Sequence, residues 1–271
     1  MKKTVCIIWL VLILALMYVP ILILAVYSFT EATTVGGCLG GFSFENYFNL
    51  FANEELRGMI FGTLALALGS ALIATILGTL GAVGAHYSKK IRKTLVDSAN
   101  QIPVVNADVV TGFSICVLLI IMLGVSKDSF VPLVIGHTVL SAPFVYLSIK
   151  PKLKQLDNSL YEAALDLGAS PSKALFKVVL PQLIPGILSG FMLAVTLSLD
   201  DYFITTYTKP STFDTISTYV VNATKGSQTS VKTALWALST LIFVIVVIVV
   251  VCMNLMSRKN NAKEAKADER A

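Results

Sequence analysis

The sequence predicts an all-α membrane protein with six spanning helices, and three observations carry that reading. The 271 residues are 55% hydrophobic and 14% charged, with a mean hydropathy of +0.78, whereas soluble domains carry roughly 25% charged residues. Apolar runs recur along the whole chain, and each can cross a hydrocarbon core of about 30 Å, which takes about 20 helical residues. Sixteen of the 21 lysines and arginines fall on one set of alternate loops and five on the other. An ordinary soluble enzyme is excluded.

The spans are read at residues 6–29, 58–85, 99–123, 130–149, 183–206 and 233–256, within one transmembrane domain over 1–256. Each is helical because lipid offers backbone N–H and C=O groups no other partner. The first run follows Lys2 and Lys3 but exceeds a signal-peptide core and has no A-x-A-like cleavage site, so it reads as an anchor. The lysine and arginine bias puts both termini in the cytoplasm. Residues 257–271, which mix Lys, Arg, Glu and Asp, read as a disordered cytoplasmic tail. Gly58 and Gly62, Gly186 and Gly190, and the series Gly78, Gly81 and Gly84 sit at helical spacing, which lets helices pack closely within this chain or against a neighbour.

Of 16 acidic residues, only Asp108, Asp200 and Asp201 lie inside spans, and no basic residue joins them. An Asp at the centre of a span costs roughly 2.5–3.5 kcal/mol on insertion scales, so the three call for compensation. They point to a cationic solute or a proton path. Neighbouring helical positions differ by about 100°, so Asp200 and Asp201 head separate stripes. Asp201 aligns with Ala194, Ser198 and Thr205, and Asp200 with Thr196, Phe203 and Tyr207. A carboxylate beside aromatic faces suits an alkyl chain bearing ammonium groups, through ion pairing, cation–π contact and methylene packing. A plainer role is open to either Asp: capping a broken helix or pairing with another subunit. His137 reads as a hydrogen-bonded packing residue. Cys6, Cys38, Cys116 and Cys252 lack C-x-x-C spacing and two histidines make no zinc site, so no metal is expected.

The loop 150–182 reads as structured. Ser159 and Glu162 have capping-box spacing, Gly168 fits a left-handed helix end, and Ser170-Pro171 restarts a helix, making a rigid knob of two short helices. Glu162-Ala163-Ala164, Gly168 and Val178-Val179-Leu180-Pro181 resemble the EAA loop of ABC importer permeases, with Val178 where Ile is commoner. That resemblance implies the type I ABC importer permease fold. It also implies a coupling loop that docks on a cytoplasmic ATPase through Glu162, Ala163, Ala164, Gly168, Leu180 and Pro181. The chain has no G-x-x-x-x-G-K-[ST] run to hold phosphates. It is therefore expected to be a transport subunit and not an enzyme, with no cofactor of its own and ATP and Mg on a partner ATPase dimer.

Leu197-Ser198-Leu199-Asp200-Asp201 and Ala107-Asp108-Val109-Val110-Thr111-Gly112 are similar to the matching segments of spermidine/putrescine importer permeases of the PotC type. This implies a polyamine path lined by Asp108, Ser198, Asp200 and Asp201, with Tyr47 near the entry. The implied partners are a second permease subunit, an external polyamine-binding protein and the lipid bilayer, with no nucleic acid. The implied location is the bacterial inner membrane, crossed several times. A permease of the same fold for another solute is the first alternative. An ion-coupled carrier using the intramembrane Asp residues is the second, although an EAA loop has no purpose there.

Overall fold

The computed structural model describes residues 2–32, 40–225 and 235–251, apart from 245–246 and 249–250. Cys38, Cys252, the tail 257–271 and much of the expected span 233–256 lie outside the described residues. The described chain is helical, with one isolated antiparallel bridge between Thr30 and Phe42. It forms two compact units, residues 1–57 with 222–271, and residues 58–221.

In the first unit, α1 (Lys2–Ser28) is apolar on every face and its most hydrophobic stretch is entirely unburied, as expected of a helix that meets lipid all round. Its end is stitched to a short amphipathic helix, α2 (Glu45–Ala52). Asn46 Nδ2 donates to the carbonyls of Ser28 (3.2 Å) and Thr30 (3.1 Å), and the Tyr47 and Ser28 hydroxyls share a 2.9 Å hydrogen bond. The Tyr47 ring packs on Phe29 at 5.0 Å. A helix over Leu235–Val244 belongs to the same unit, with Trp236 edge-on to Tyr27 at 5.7 Å.

The second unit holds most of α3 (Glu54–His86), then α4 (Lys90–Val105), α5 (Asp108–Cys116), α6 (Val131–Gln155), α7 (Asn158–Asp166), α8 (Pro171–Ala174), α9 (Leu180–Asp200) and α10 (Phe203–Thr208). It also holds most of α11 (Ile216–Lys225). Four described helical stretches are long and apolar enough to cross a membrane: Val5–Ser28, Glu54–His86, Val131–Gln155 and Pro171–Asp200.

Two expectations need correction. The expected third span, 99–123, is not one straight helix: α4 and α5 meet at 106°, with Asn106 (ψ 146°) and Ala107 (ψ 138°) extended between them. Asn106 Nδ2 donates to Thr111 Oγ1 at 3.2 Å across the corner, a local side-chain bond that competes with helix continuation. Nor is the second half of the knob a separate short helix. From Pro171 it runs through a π-helical stretch, Leu175–Val179, into α9 as one 30-residue element.

Glycines let these helices close on one another. The antiparallel pair α6 and α9 meets where Gly190 abuts Val145 Cα and Gly186 abuts Lys152, so an added Cβ would lie 3.1 and 3.0 Å away. A Cβ on Gly78 would sit 2.8 Å from Val145 Cβ and 2.9 Å from the Ala142 carbonyl. Val145, Tyr146, Ile149, Leu153 and Leu183 are buried at the centre of this packing, with Ala71, Ala82 and Ala194. Gly186, Gly190 and Gly78 thus serve contacts within the chain, while Gly58 and Gly84 face open space. Gly78→Ala should therefore destabilise the purified chain by about 1–3 kcal/mol through overpacking. Gly84→Ala should be neutral or stabilising by up to about 1 kcal/mol, since Ala is the better helix former. Thermal unfolding in detergent measures both, and equal effects would refute the assigned contacts.

Candidate functional site

The site centres on the point where the expected fifth span breaks. Helix α9 ends at Asp200, Asp201 is extended (φ −66°, ψ 126°), and α10 begins at Phe203. A helix start leaves free N–H groups, and in a span no water is present to take them. Asp201 takes them instead. Its Oδ1 accepts from Ile204 N–H at 3.2 Å, and its Oδ2 accepts from Thr205 N–H at 2.7 Å and from Thr205 Oγ1 at 2.8 Å. Asp201 thus fills the plainer of the roles open to it, capping the second half of a broken helix.

Beside it lies a buried polar chain. His137 of α6 is fully buried, with Nδ1 2.7 Å from Ser198 Oγ of α9 and Nε2 3.0 Å from Thr205 Oγ1 of α10. Ser198 Oγ is in turn 3.2 Å from Ser70 Oγ of α3. Counting donors orders the bonds. The one Thr205 hydroxyl hydrogen goes to Asp201, so its oxygen accepts from Nε2–H. In a neutral imidazole Nδ1 then accepts from Ser198. His137 is a hydrogen-bonded packing residue, as the sequence suggested, but one that joins both sides of the break. Two glycines let α10 reach it: a Cβ on Gly112 of α5 would lie 3.0 Å from Ile204 Cα, and one on Gly136 of α6 would lie 2.6 Å from Ile204 Cγ2.

The two stripes read from the sequence separate by burial. Ala194, Ser198, Asp201 and Thr205 are buried, whereas Thr196, Asp200 and Phe203 are exposed and Tyr207 is half-buried. Asp200 is the last residue of α9. Its carbonyl accepts from Ser217 Oγ at 3.1 Å while its carboxylate faces out. Asp108, also exposed, opens α5 one turn before Gly112. Gly112 meets Ile204, and Phe113 meets Tyr207 ring to ring at 5.9 Å, so α5 and α10 pack together. The helices thus leave open two carboxylates, Asp108 and Asp200, and the rings of Phe113 and Phe203, with Tyr207 half-buried against Phe113. Tyr47 belongs to the first unit, where its hydroxyl is occupied by Ser28.

The knob keeps most of its expected chemistry. Gly168 has φ +81°, and the bonds Gly168 N to Leu165 O (2.9 Å) and Ala169 N to Ala164 O (3.0 Å) close α7 in a Schellman motif. Ser170 caps the next helix with Pro171 in its first turn. The expected Ser159–Glu162 capping box does not form. Asp157 is the N-cap and accepts from Ser159 N–H at 2.9 Å, because an ionised carboxylate two residues earlier is the stronger acceptor. That bond holds the Asp157 carboxyl below the usual carboxylate range. Glu162 is left exposed, as are Ala163 and Leu167, the last with 89% of its surface free; Ala164 and Leu180 are half-buried and Pro181 is exposed.

At the same lysine-rich end, Lys150 Nζ and the Tyr146 hydroxyl donate to Asp97 Oδ1 at 2.6 and 2.5 Å. At the other end Lys209 pairs with Asp214. Ser70 and the Asp97 cluster were missed by sequence reasoning. A serine in an apolar run is a weak signal, and Asp97 lies just outside the expected span.

The chain belongs to the family of binding-protein-dependent transport system inner membrane components, whose model matches residues 104–261. It is 30% identical over 247 residues to the spermidine/putrescine transport system permease protein PotC of Haemophilus influenzae, covering 91% of this chain and 94% of that one. It is 32% identical to the putrescine transport system permease protein PotI of Escherichia coli, over 86% of this chain and 85% of that one. In fold it is similar to a chain of a bacterial ABC transporter that imports the acidic polysaccharide alginate, with a TM-score of 0.71, 15% identity, and coverage of 93% and 95%.

Because Asp201 caps and Asp200 does not, the two should separate in stability. Asp201→Ala is expected to lower the unfolding free energy by about 1–3 kcal/mol, from loss of the cap and of buried charge-assisted bonds. Asp200→Asn should stay within about 0.5 kcal/mol of the parent, as exposed substitutions do. Denaturant unfolding of both purified variants decides it, and a harmless Asp201→Ala would remove the capping assignment.

Proposed function

We propose that this chain is the permease subunit of an ATP-driven importer and carries polyamines of the spermidine and putrescine type across the bacterial inner membrane. The observation that carries the substrate is the exposure of Asp108, Asp200, Phe113 and Phe203, with Tyr207 against Phe113, which in this reading form one open face. A polyamine offers ammonium groups to the carboxylates and methylenes to the rings, whereas an anion would meet repulsion. The naming of the two permease relatives supports the same class. Ser198 and Asp201 act in this reading from behind the face, by holding the break, and Tyr47 belongs to the external entry.

The topology proposed is six spans with both termini cytoplasmic, counting the bent pair α4 and α5 as one span and 233–256 as the last. A second permease subunit covers the open face, an external binding protein delivers the solute, and a cytoplasmic ATPase dimer holds ATP and Mg. The knob is the coupling surface. Glu162, Ala163 and Leu167 present a mixed acidic and apolar tip, and Gly168 sets its angle in a backbone conformation costly to other residues.

Asp108→Asn and Asp200→Asn should each lower the apparent affinity for putrescine or spermidine roughly 10- to 100-fold, the worth of a desolvated charge-assisted contact. Radiolabelled uptake by the assembled importer in vesicles, at matched expression, is the measurement; parental uptake in both would sink the polyamine path. For the knob, Gly168→Val should abolish co-purification of the ATPase while leaving membrane insertion intact. An ATPase that stays bound and coupled would show that the knob is not the docking surface.

A further inference from the structure

We propose that His137 is a positioning residue, which fixes the geometry of the α9–α10 break and through it the placement of the Asp200 carboxylate. The inference rests on the polyamine reading for its functional part and on geometry alone for its structural part.

At the break α9 and α10 are not one continuous helix, since helical geometry is interrupted at Asp201 and Tyr202. The connection is made by side chains. One imidazole reaches both flanks: Nδ1 meets Ser198, two residues before Asp200, and Nε2 meets Thr205, whose N–H and hydroxyl hold the Asp201 carboxylate. His137 stands on α6, the helix packed along α9, so it references both flanks to a third element that does not break. Ser70 extends the reference to α3 through Ser198. A histidine suits this position because its two ring nitrogens point to opposite sides of a rigid plane, and both are used. The adjacent Gly136 lets Ile204 lie against α6, so the ring reaches Thr205 without displacing α10. None of these groups touches the open face, yet Asp200, two residues from Ser198, is carried by whatever geometry they set.

Conservative variants separate the two arms. His137→Asn keeps a polar group at the reach of Nδ1 and so the Ser198 bond, His137→Gln keeps one at the reach of Nε2 and so the Thr205 bond, and His137→Leu keeps neither. In the assembled importer in proteoliposomes, each one-armed variant should raise the KM for putrescine roughly 2- to 10-fold, the worth of one hydrogen bond, with Vmax per folded complex nearly unchanged. His137→Leu should raise it further. In an Asp200→Asn background the same substitutions should add nothing to KM, because the group being positioned is gone. An unchanged KM with a loss confined to the amount of folded protein, or an equal increase in the Asp200→Asn background, would overturn the proposal.

A second measurement needs no solute. Spin labels on Thr196→Cys and Tyr207→Cys, in a chain with its native cysteines replaced by serine, flank the break on its open side. The parent should give one narrow distance distribution and His137→Leu a broadened or shifted one; an unchanged distribution overturns the positioning role. A broadened distribution together with parental uptake by Asp200→Asn would sink the polyamine path and leave His137 as the residue that sets the break.

Discussion

The carboxylate of Asp201, accepting from Ile204 N–H, Thr205 N–H and the Thr205 hydroxyl, is the interaction on which the rest of the second unit depends. Hydrocarbon gives unpaired backbone groups no partner, so a span can break only where protein atoms take over the freed donors. Asp201 does so with charge-assisted bonds, which are stronger than neutral ones. The cap therefore holds the start of α10 where α9 stops.

Capping alone would leave α10 loose, and small residues bring it in. Gly112 and Gly136 allow the Ile204 backbone and side chain to lie against α5 and α6, which places Thr205 within reach of His137. In lipid there is little hydrophobic gain from joining helices, so close backbone approach and interhelical hydrogen bonds supply the association. Both are concentrated here: the glycines give contact, and Ser70, His137, Ser198 and Thr205 give the bonds. The same device recurs toward the lysine-rich end, where Gly78, Gly186 and Gly190 admit α6, and the Asp97 carboxylate receives Lys150 and Tyr146.

How much of this was legible follows from the range of each signal. Local chemistry was readable: the positive φ at Gly168, the Ser170-Pro171 restart, and the separation of Asp200 and Asp201 onto two stripes all follow from residues within one or two turns, although which stripe is buried was not readable. The stripes held even across the break, because the cap keeps Thr205 under Asp201. Long-range partners were not readable. His137 meets residues 61 and 68 positions away, and Ser70 meets one 128 away. The corner at Asn106 and Ala107 was hidden by hydropathy, which registers apolar length and not direction. At the start of α7, Asp157 and Ser159 are both good caps, and spacing to Glu162 favoured the wrong one; the choice turned on acceptor strength.

The three carboxylates that the sequence placed inside spans therefore differ in what the fold does with them. Asp201 is consumed by its own chain, its oxygens occupied by N–H and O–H donors. Asp108 stands in the first turn of α5, where the positive end of the helix dipole tolerates an anion. Asp200 has neither support. It closes α9, at the end where the dipole is negative and an acidic residue is disfavoured. Its carboxylate is exposed on the side that lacks the capping donors. A residue that violates the local rule in an otherwise consistent structure marks the place where something outside the chain completes the balance. In the polyamine reading proposed above, that completion is an ammonium group, and the rings of Phe203 and Tyr207 on the same stripe give its methylenes an apolar body to lie against.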